Sequence, residues 1–232
     1  MEVFKFKYFD LINGENIMKP STDSVILGAW ASNMDYTRIL DLGCGSGILS
    51  LMLAQQNQNC EVFGIDINLD AVELSNVNFI NTGFVNSFNF IHTDFTGSSL
   101  PELFFDLIIS NPPYFIEDLP SQLQSKNLQR HFTASKISLL ASNVANRLSK
   151  DGLFLIVMPI GLESLWTTEL IMKGLYPVEY LKIKHSEKSA TSLVCVAYSR
   201  FSSFVNFAEL VILNEKGDYS EAYKELTQNF IL

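Results

Sequence analysis

Residues 36–53 restrict the fold more than any other stretch. A mostly apolar run at 36–42 meets Asp41-Leu42-Gly43-Cys44-Gly45-Ser46-Gly47, and Ile48, Leu49, Met52 and Leu53 then recur at helical spacing. A core strand that leaves through a glycine loop into a helix is the opening unit of a parallel α/β sheet built to hold a nucleotide-type ligand. Glycine at 43, 45 and 47 lets the backbone turn sharply and approach a ligand with no Cβ in between. A dinucleotide fingerprint would place its third glycine at position 48, where Ile48 stands, which argues against nicotinamide or flavin.

The next strand-like run, 61–67, carries Asp66 near its end, 19 residues after Gly47. A carboxylate there can accept from both hydroxyls of a ribose. Residues 68–81 read as a helix stopped by Gly83. A third strand at 88–93 ends at Asp94, placed to meet the exocyclic amine of an adenine. Asp41, Asp66 and Asp94 thus fall at three successive strand ends on one rim; capping explains any one of them more easily than all three.

Residues 104–114 form another core strand, Phe-Phe-Asp-Leu-Ile-Ile-Ser, that stops at Asn111-Pro112-Pro113-Tyr114. Two consecutive prolines remove two backbone donors and fix two φ angles, and Pro112 pushes Asn111 out of the helical region. The turn is stiff and offers acceptors, the Asn111 side-chain oxygen and the Pro112 carbonyl, with the Tyr114 ring beyond. A planar amine on a flat base fits such a corner; a tight loop after a strand is the plainer reading.

The chain is 47% hydrophobic and 18% charged over 232 residues, which suits one α/β domain spanning 1–232, with an extension at 1–35, a core at 36–200 and a second extension at 201–232. No apolar stretch is long enough to cross a bilayer, and residues 1–8 do not read as a signal peptide. Cys44, Cys60 and Cys195 are odd in number and widely spaced, so a cytoplasmic location is expected, and His92, His131 and His185 add no metal-binding spacing. The net charge of -9 is unevenly spread: residues 39–125 hold ten acids and no Lys or Arg, whereas 126–200 hold ten bases and five acids. A polyanion is repelled by the first segment and tolerated by the second.

Residues 4–18 read as a hairpin turning at Asn13-Gly14, a lid or edge outside the core. Lys19, Thr22 and Asp23 precede a short helix over 25–30, which they cap or leave to face a ligand. Residues 117–129 are polar and aperiodic, a loop that substrate could order, followed by a helix at 133–148 and a fifth strand at 153–159. A helix over 161–173 leads to an antiparallel strand pair, 176–184 and 192–200, whose connector lies on the rim of the acids, while 207–213 adds an edge strand. Lys182, Lys184 and Lys188, with Lys126 and Arg130 across the mouth, could hold the phosphates of a polyanion, although lysines also solubilise sheet edges.

The glycine loop, Asp66, Asp94 and Asn111-Pro112-Pro113-Tyr114 together resemble a class I S-adenosylmethionine-dependent methyltransferase of the amino-methylating group. More narrowly, residues 18–30, Met-Lys-Pro-Ser-Thr-Asp-Ser-Val-Ile-Leu-Gly-Ala-Trp, are similar to the entry segment of the bacterial tRNA1(Val) (adenine-37-N6)-methyltransferases, as is the ending from Tyr219 to Leu232. The resemblance implies a Rossmann-like fold: a seven-stranded, mostly parallel sheet with one antiparallel strand, helices on both faces and an N-terminal hairpin. It implies S-adenosyl-L-methionine held by Asp41, Gly43, Gly45, Gly47, Asp66, Asp94 and Asn111, with catalysis by Asn111, Pro112 and Tyr114. The expected substrate is tRNA, approached by Tyr114, Lys126, Arg130, Lys184 and Lys188, with neither membrane nor metal involved and the protein a monomer. The acidic balance departs from what a tRNA binder leads one to expect. Another amine acceptor, an rRNA base or a protein glutamine, fits the same turn, and a non-catalytic cofactor-binding module is the third reading.

Overall fold

The computed structural model describes residues 2–15, 17–95, 103–112 and 126–232, the side chains of 126–133 excepted. Its strands are β1 (Glu2–Lys5), β2 (Asp10–Asn13), β3 (Arg38–Leu42), β4 (Glu61–Asp66), β5 (Phe88–His92), β6 (Phe105–Ser110), β7 (Leu148–Pro159), β8 (Tyr176–Ser186), β9 (Thr191–Ser199) and β10 (Asn206–Leu213). The helices are α1 (Thr22–Ala31), α2 (Ile48–Gln56), α3 (Leu69–Thr82), α4 (Lys126–Arg147), α5 (Glu163–Met172) and α6 (Glu221–Thr227).

Eight strands form one sheet in the order β10-β8-β9-β7-β6-β3-β4-β5, with β9 alone antiparallel to its neighbours. The reversal between β3 and β6 puts a topological switch point at the carboxyl end of β3, where open α/β sheets bind ligands. The expected seven strands become eight because 206–213 pairs in parallel with β8 as a full edge strand. Side chains alternate between two cores, as a sheet covered on both faces requires. Ile39, Leu107, Ile109, Leu155 and Val157 face α1, α2, α3 and α6, whereas Leu40, Phe105, Ile108, Phe154 and Ile156 face α4 and α5. Helix α2 is buried throughout residues 48–54, and α1 throughout 24–31, which explains why both are apolar all round rather than striped.

Several boundaries differ from expectation. The N-terminal hairpin turns at residues 6–9, where Phe6 N–H donates to the Phe9 carbonyl and the two rings stack 4.7 Å apart. Asn13 instead turns inward and donates to the carbonyls of Gly14 and Ile17. Phe6, Phe9 and Leu11 are buried against the core, so this hairpin is part of the fold rather than a lid. Helix α4 begins at Lys126, so residues 126–129 of the expected loop are helical; residues 117–125 lie outside the described residues. Strand β7 begins at Leu148, ahead of the expected start at 153.

Gly64 on β4 lies opposite Phe90 on β5, and a Cβ there would fall inside van der Waals reach of the Phe90 ring, with Cys44 Cβ at 3.2 Å behind it. Phe90 is held by Phe79 and Phe88, leaving the ring little room to retreat. Gly64→Ala is therefore expected to cost about 1–3 kcal/mol of stability. Denaturant melts compared with wild type check this, an unchanged midpoint contradicting it.

Candidate functional site

At the carboxyl ends of β3, β4 and β6 lies a cavity of about 410 Å³, within the range of small-molecule sites. Its wall includes Gly43 to Ser46, Asp66, Phe95 and Asn111, with Lys19 and Ser24 closing it from the N-terminal side. The glycine loop is shaped by the positive φ of Gly43, Gly45 and Gly47, at 76°, 56° and 83°. Among the described residues, a Cβ on Gly43 would meet no atom within 4 Å and one on Gly45 only Ile17 at 4.0 Å, so these two leave space beside a ligand; one on Gly47 would press on Ser75 Oγ at 3.2 Å.

The loop is anchored from three sides. The N–H groups of Gly43 and Cys44 both donate to the Ile65 carbonyl at 2.9 Å, and Gly45 N–H donates to Asp66 Oδ2 at 2.9 Å. Ser75 Oγ donates to the Gly45 carbonyl at 2.9 Å, and Asn78 Nδ2 donates to the Ser46 carbonyl at 2.8 Å. Asn78 also bonds both backbone groups of Ile12, tying β2 and α3 to the loop through one buried amide. Asp66 accepts from Asn68 N–H through Oδ1, so each carboxylate oxygen has one donor among the described residues and keeps acceptor capacity, on a residue that lines the cavity.

Asp41 has a different place from the one expected. Its side chain is fully buried on the α2 side of the sheet and is absent from the cavity wall. Oδ2 accepts from Ser50 N–H at 3.2 Å and Ser50 Oγ at 2.8 Å. Gly47, the residue before α2, has no side chain to cap the helix, so the strand supplies the carboxylate that does. Oδ1 has no hydrogen-bond partner among the described residues. Burial, partly offset by the Ser50 bonds and reinforced by the Asp66 charge, pushes the Asp41 carboxyl up to about 7. Because the folded state then holds a proton that the unfolded chain releases near pH 4, stability is expected to fall as pH rises from about 4 to about 7 and to level off above. The loss is on the order of 4 kcal/mol. Urea unfolding across this pH range should show wild type losing stability relative to Asp41→Asn; parallel curves would contradict the assignment.

Asn111 stands at the end of β6 on the cavity wall. Its Nδ2 donates to Ser24 Oγ at 2.9 Å, and Ser24 Oγ lies 3.4 Å from Ser21 Oγ, the N-cap of α1. With the amide nitrogen engaged, Oδ1 remains as an acceptor. Pro112 is buried next to it and is not part of the wall, while Pro113 and Tyr114 lie outside the described residues. Asp94 is exposed beside Phe95, which lines the cavity where Asp94 does not.

The expected RNA-contacting residues are not gathered here. Lys184 sits on β8, roughly 14 Å across three strand spacings from β6, and its Nζ ion-pairs with Glu209 at 2.9 Å. Lys188 is in the β8–β9 turn on the same rim as the cavity, and Lys126 and Arg130 fall in the first turns of α4, their side chains outside the described residues. Among the described residues no cluster of three or more potential metal ligands occurs, and no described helix is long and apolar enough to cross a membrane. Ser24, Ser75 and Asn78 were missed in the sequence because isolated polar residues on helices look like caps or solvated positions.

Residues 24–165 match the model of the methyltransferase small domain. Over 99% of its length the chain is 32% identical to the tRNA1(Val) (adenine(37)-N6)-methyltransferase of Pedobacter heparinus, covering 97% of that protein. The proteins of the same name from Aliivibrio salmonicida and Bacteroides thetaiotaomicron are 33% and 31% identical, each over 99% of this chain and 97% of the relative. Among solved structures, a predicted O-methyltransferase from Agrobacterium tumefaciens shares the fold with a TM-score of 0.69 at 17% identity, the match covering 90% of this chain and 96% of that one. A glycine cradle at a switch point, a strand-end acid and Asn111 at the end of β6 agree with these matches, and the chain belongs to the methyltransferase small domain family, in the group of the tRNA1(Val) (adenine(37)-N6)-methyltransferases.

Proposed function

We propose that this protein transfers a methyl group from S-adenosylmethionine to N6 of an adenine in tRNA, adenine 37 of tRNA1(Val) being the position named for its relatives. The observation that carries the reading is the orientation of Asn111, whose amide nitrogen is held by Ser24 so that the oxygen is left for a substrate amine. The residues fit the donor: a Cβ-free cradle at Gly43 and Gly45 for its chain, and Asp66 with unused lone pairs for the two ribose hydroxyls. When bound, S-adenosylmethionine supplies a methyl group on a sulfonium sulfur.

The adenine amine is a weak nucleophile because its lone pair is delocalised into the ring. Asn111 Oδ1 is assigned one of its hydrogens and the carbonyl of Pro112, the buried residue next to it behind the wall, is assigned the other, which favours a tetrahedral nitrogen and localises the lone pair toward the incoming carbon. Both acceptors are neutral, and neutral acceptors suffice, since the nitrogen turns strongly acidic only as its new bond forms and then releases a proton to water. Holding the amine in line is the larger contribution, as positioning is in two-substrate reactions generally. Tyr114 is assigned to stack on the extracted base, replacing neighbours worth about 1–3 kcal/mol. Lys188, Lys126 and Arg130 are assigned to tRNA phosphates in the segment of net positive charge. The protein acts as a monomer in this reading.

Incubation with methyl-labelled donor and either bulk tRNA or bulk protein tests the acceptor. Label in tRNA alone supports the proposal; label in protein glutamine would replace it.

A further inference from the structure

The cavity wall carries two charged side chains among the described residues, Asp66 at the β4 end and Lys19 on the segment leading into α1. Asp66 is spoken for by the ribose in the reading above; Lys19 has no role in it. Its Nζ ion-pairs with Glu2 of β1 at 2.6 Å, and the two side chains are 69% and 52% exposed. An ion pair this open to water contributes little net stability, so its cation is readily given up to a better-placed anion. Lys19 is also held where it can act: Pro20 fixes the chain behind it, Ser21 caps α1, and Ser24 on the first turn bonds Asn111. Lys19 therefore borders the cavity on its α1 side, while its ammonium is turned to Glu2 over the neighbouring hollow that Glu2, Asn13, Gly14 and Glu15 line, one side-chain rotation away.

A donor whose ribose is at Asp66 and whose reactive carbon is presented to Asn111 must place its amino-acid tail along the glycine loop. That tail ends in a carboxylate and an ammonium, and the lone cation on the described wall suits the carboxylate. Resting on the donor assignment above, we propose that Lys19 binds the α-carboxylate of the methyl donor, exchanging Glu2 for it, so that the N-terminal strand holds the lysine only while the site lacks its nucleoside. A tRNA phosphate is the competing anion. The cavity position favours the carboxylate, because Lys19 lines the same space as the loop rather than the outer rim where Lys188 sits.

Calorimetric binding to the full-length protein separates these anions. S-adenosylhomocysteine carries the amino-acid tail, and 5′-methylthioadenosine keeps the nucleoside and thioether without it. Lys19→Met is expected to weaken S-adenosylhomocysteine roughly ten- to a hundredfold and 5′-methylthioadenosine less than about twofold. Glu2→Gln, which removes the competitor, is expected to tighten S-adenosylhomocysteine and leave 5′-methylthioadenosine unchanged. Equal weakening of both ligands by Lys19→Met would mean a structural role and overturn the proposal. So would unchanged binding of both with a raised KM for tRNA, which would assign Lys19 to a phosphate. If wild type binds neither nucleoside, the donor assignment itself fails.

Discussion

Asn111→Ala is expected to lower methyl transfer by roughly 10²–10³-fold or more while S-adenosylhomocysteine still binds within a few-fold of wild type. The magnitude is that of removing one preorganised hydrogen-bonding group from a reacting centre. The split between turnover and binding follows from the geometry: Asn111 lines the cavity beside Ser24, while Asp66, Ser75 and Asn78 hold the glycine loop, and Asp66 is the residue proposed for the ribose. Ser24→Ala is expected to act in the same direction and less strongly, because it leaves the amide in place but frees it to rotate. Single-turnover rates at saturating donor, with binding measured in parallel, distinguish these effects. Near-normal turnover in Asn111→Ala would remove the corner from the mechanism.

Asp66→Ala is expected to weaken donor binding by about a hundredfold or more. The carboxylate has two tasks, and the substitution ends both. Its oxygens hold Gly45 N–H and Asn68 N–H at 2.9 Å, fixing the cradle, and in the proposed reading their remaining lone pairs take the ribose hydroxyls. Charge-assisted bonds of this kind contribute about 1.5–3 kcal/mol each. Asp66→Asn keeps one acceptor and should fall between wild type and Ala. Since Asp66 is at the surface of the cavity rather than in either core, the melting temperature should change far less than the affinity. Unchanged affinity in Asp66→Ala would displace the ribose from this strand end.

Much of the architecture was legible in the sequence because local pattern and tertiary packing agree there. The glycine loop, Asp66 and Asn111-Pro112 all fall where strand ends meet a switch point, and the loop and the β6 end are marked by residues with few other backbone options. The failures share a cause. Asn13-Gly14 is the stronger local turn motif, yet the hairpin reverses at 6–9, where Phe6 and Phe9 stack and bury together. That preference comes from the core, which short-range pattern does not report. Asp41 was assigned to the rim by its position in the loop motif, but its place on the same strand face as Ile39 turns it toward α2 and Ser50. The alternation was readable; the helix waiting on that face was not. Ser24, Ser75 and Asn78 position the site through contacts with residues 30 to 87 positions away, so no spacing rule marks them. Lys184 was placed at the mouth by rim alone, while strand order sets it three strands off and next to Glu209.

The central claim is that a corner formed by Asn111 and Pro112 aims the amine of an adenine at a methyl donor seated over the glycine loop. Nucleoside mass spectrometry of tRNA1(Val), unmodified at adenine 37 and incubated with the protein and S-adenosylmethionine, tests it most directly. The account predicts N6-methyladenosine confined to the anticodon-loop fragment and absent with Asn111→Ala. Methylation at a ring nitrogen or a ribose oxygen, or N6-methyladenosine formed equally by the variant, would contradict it.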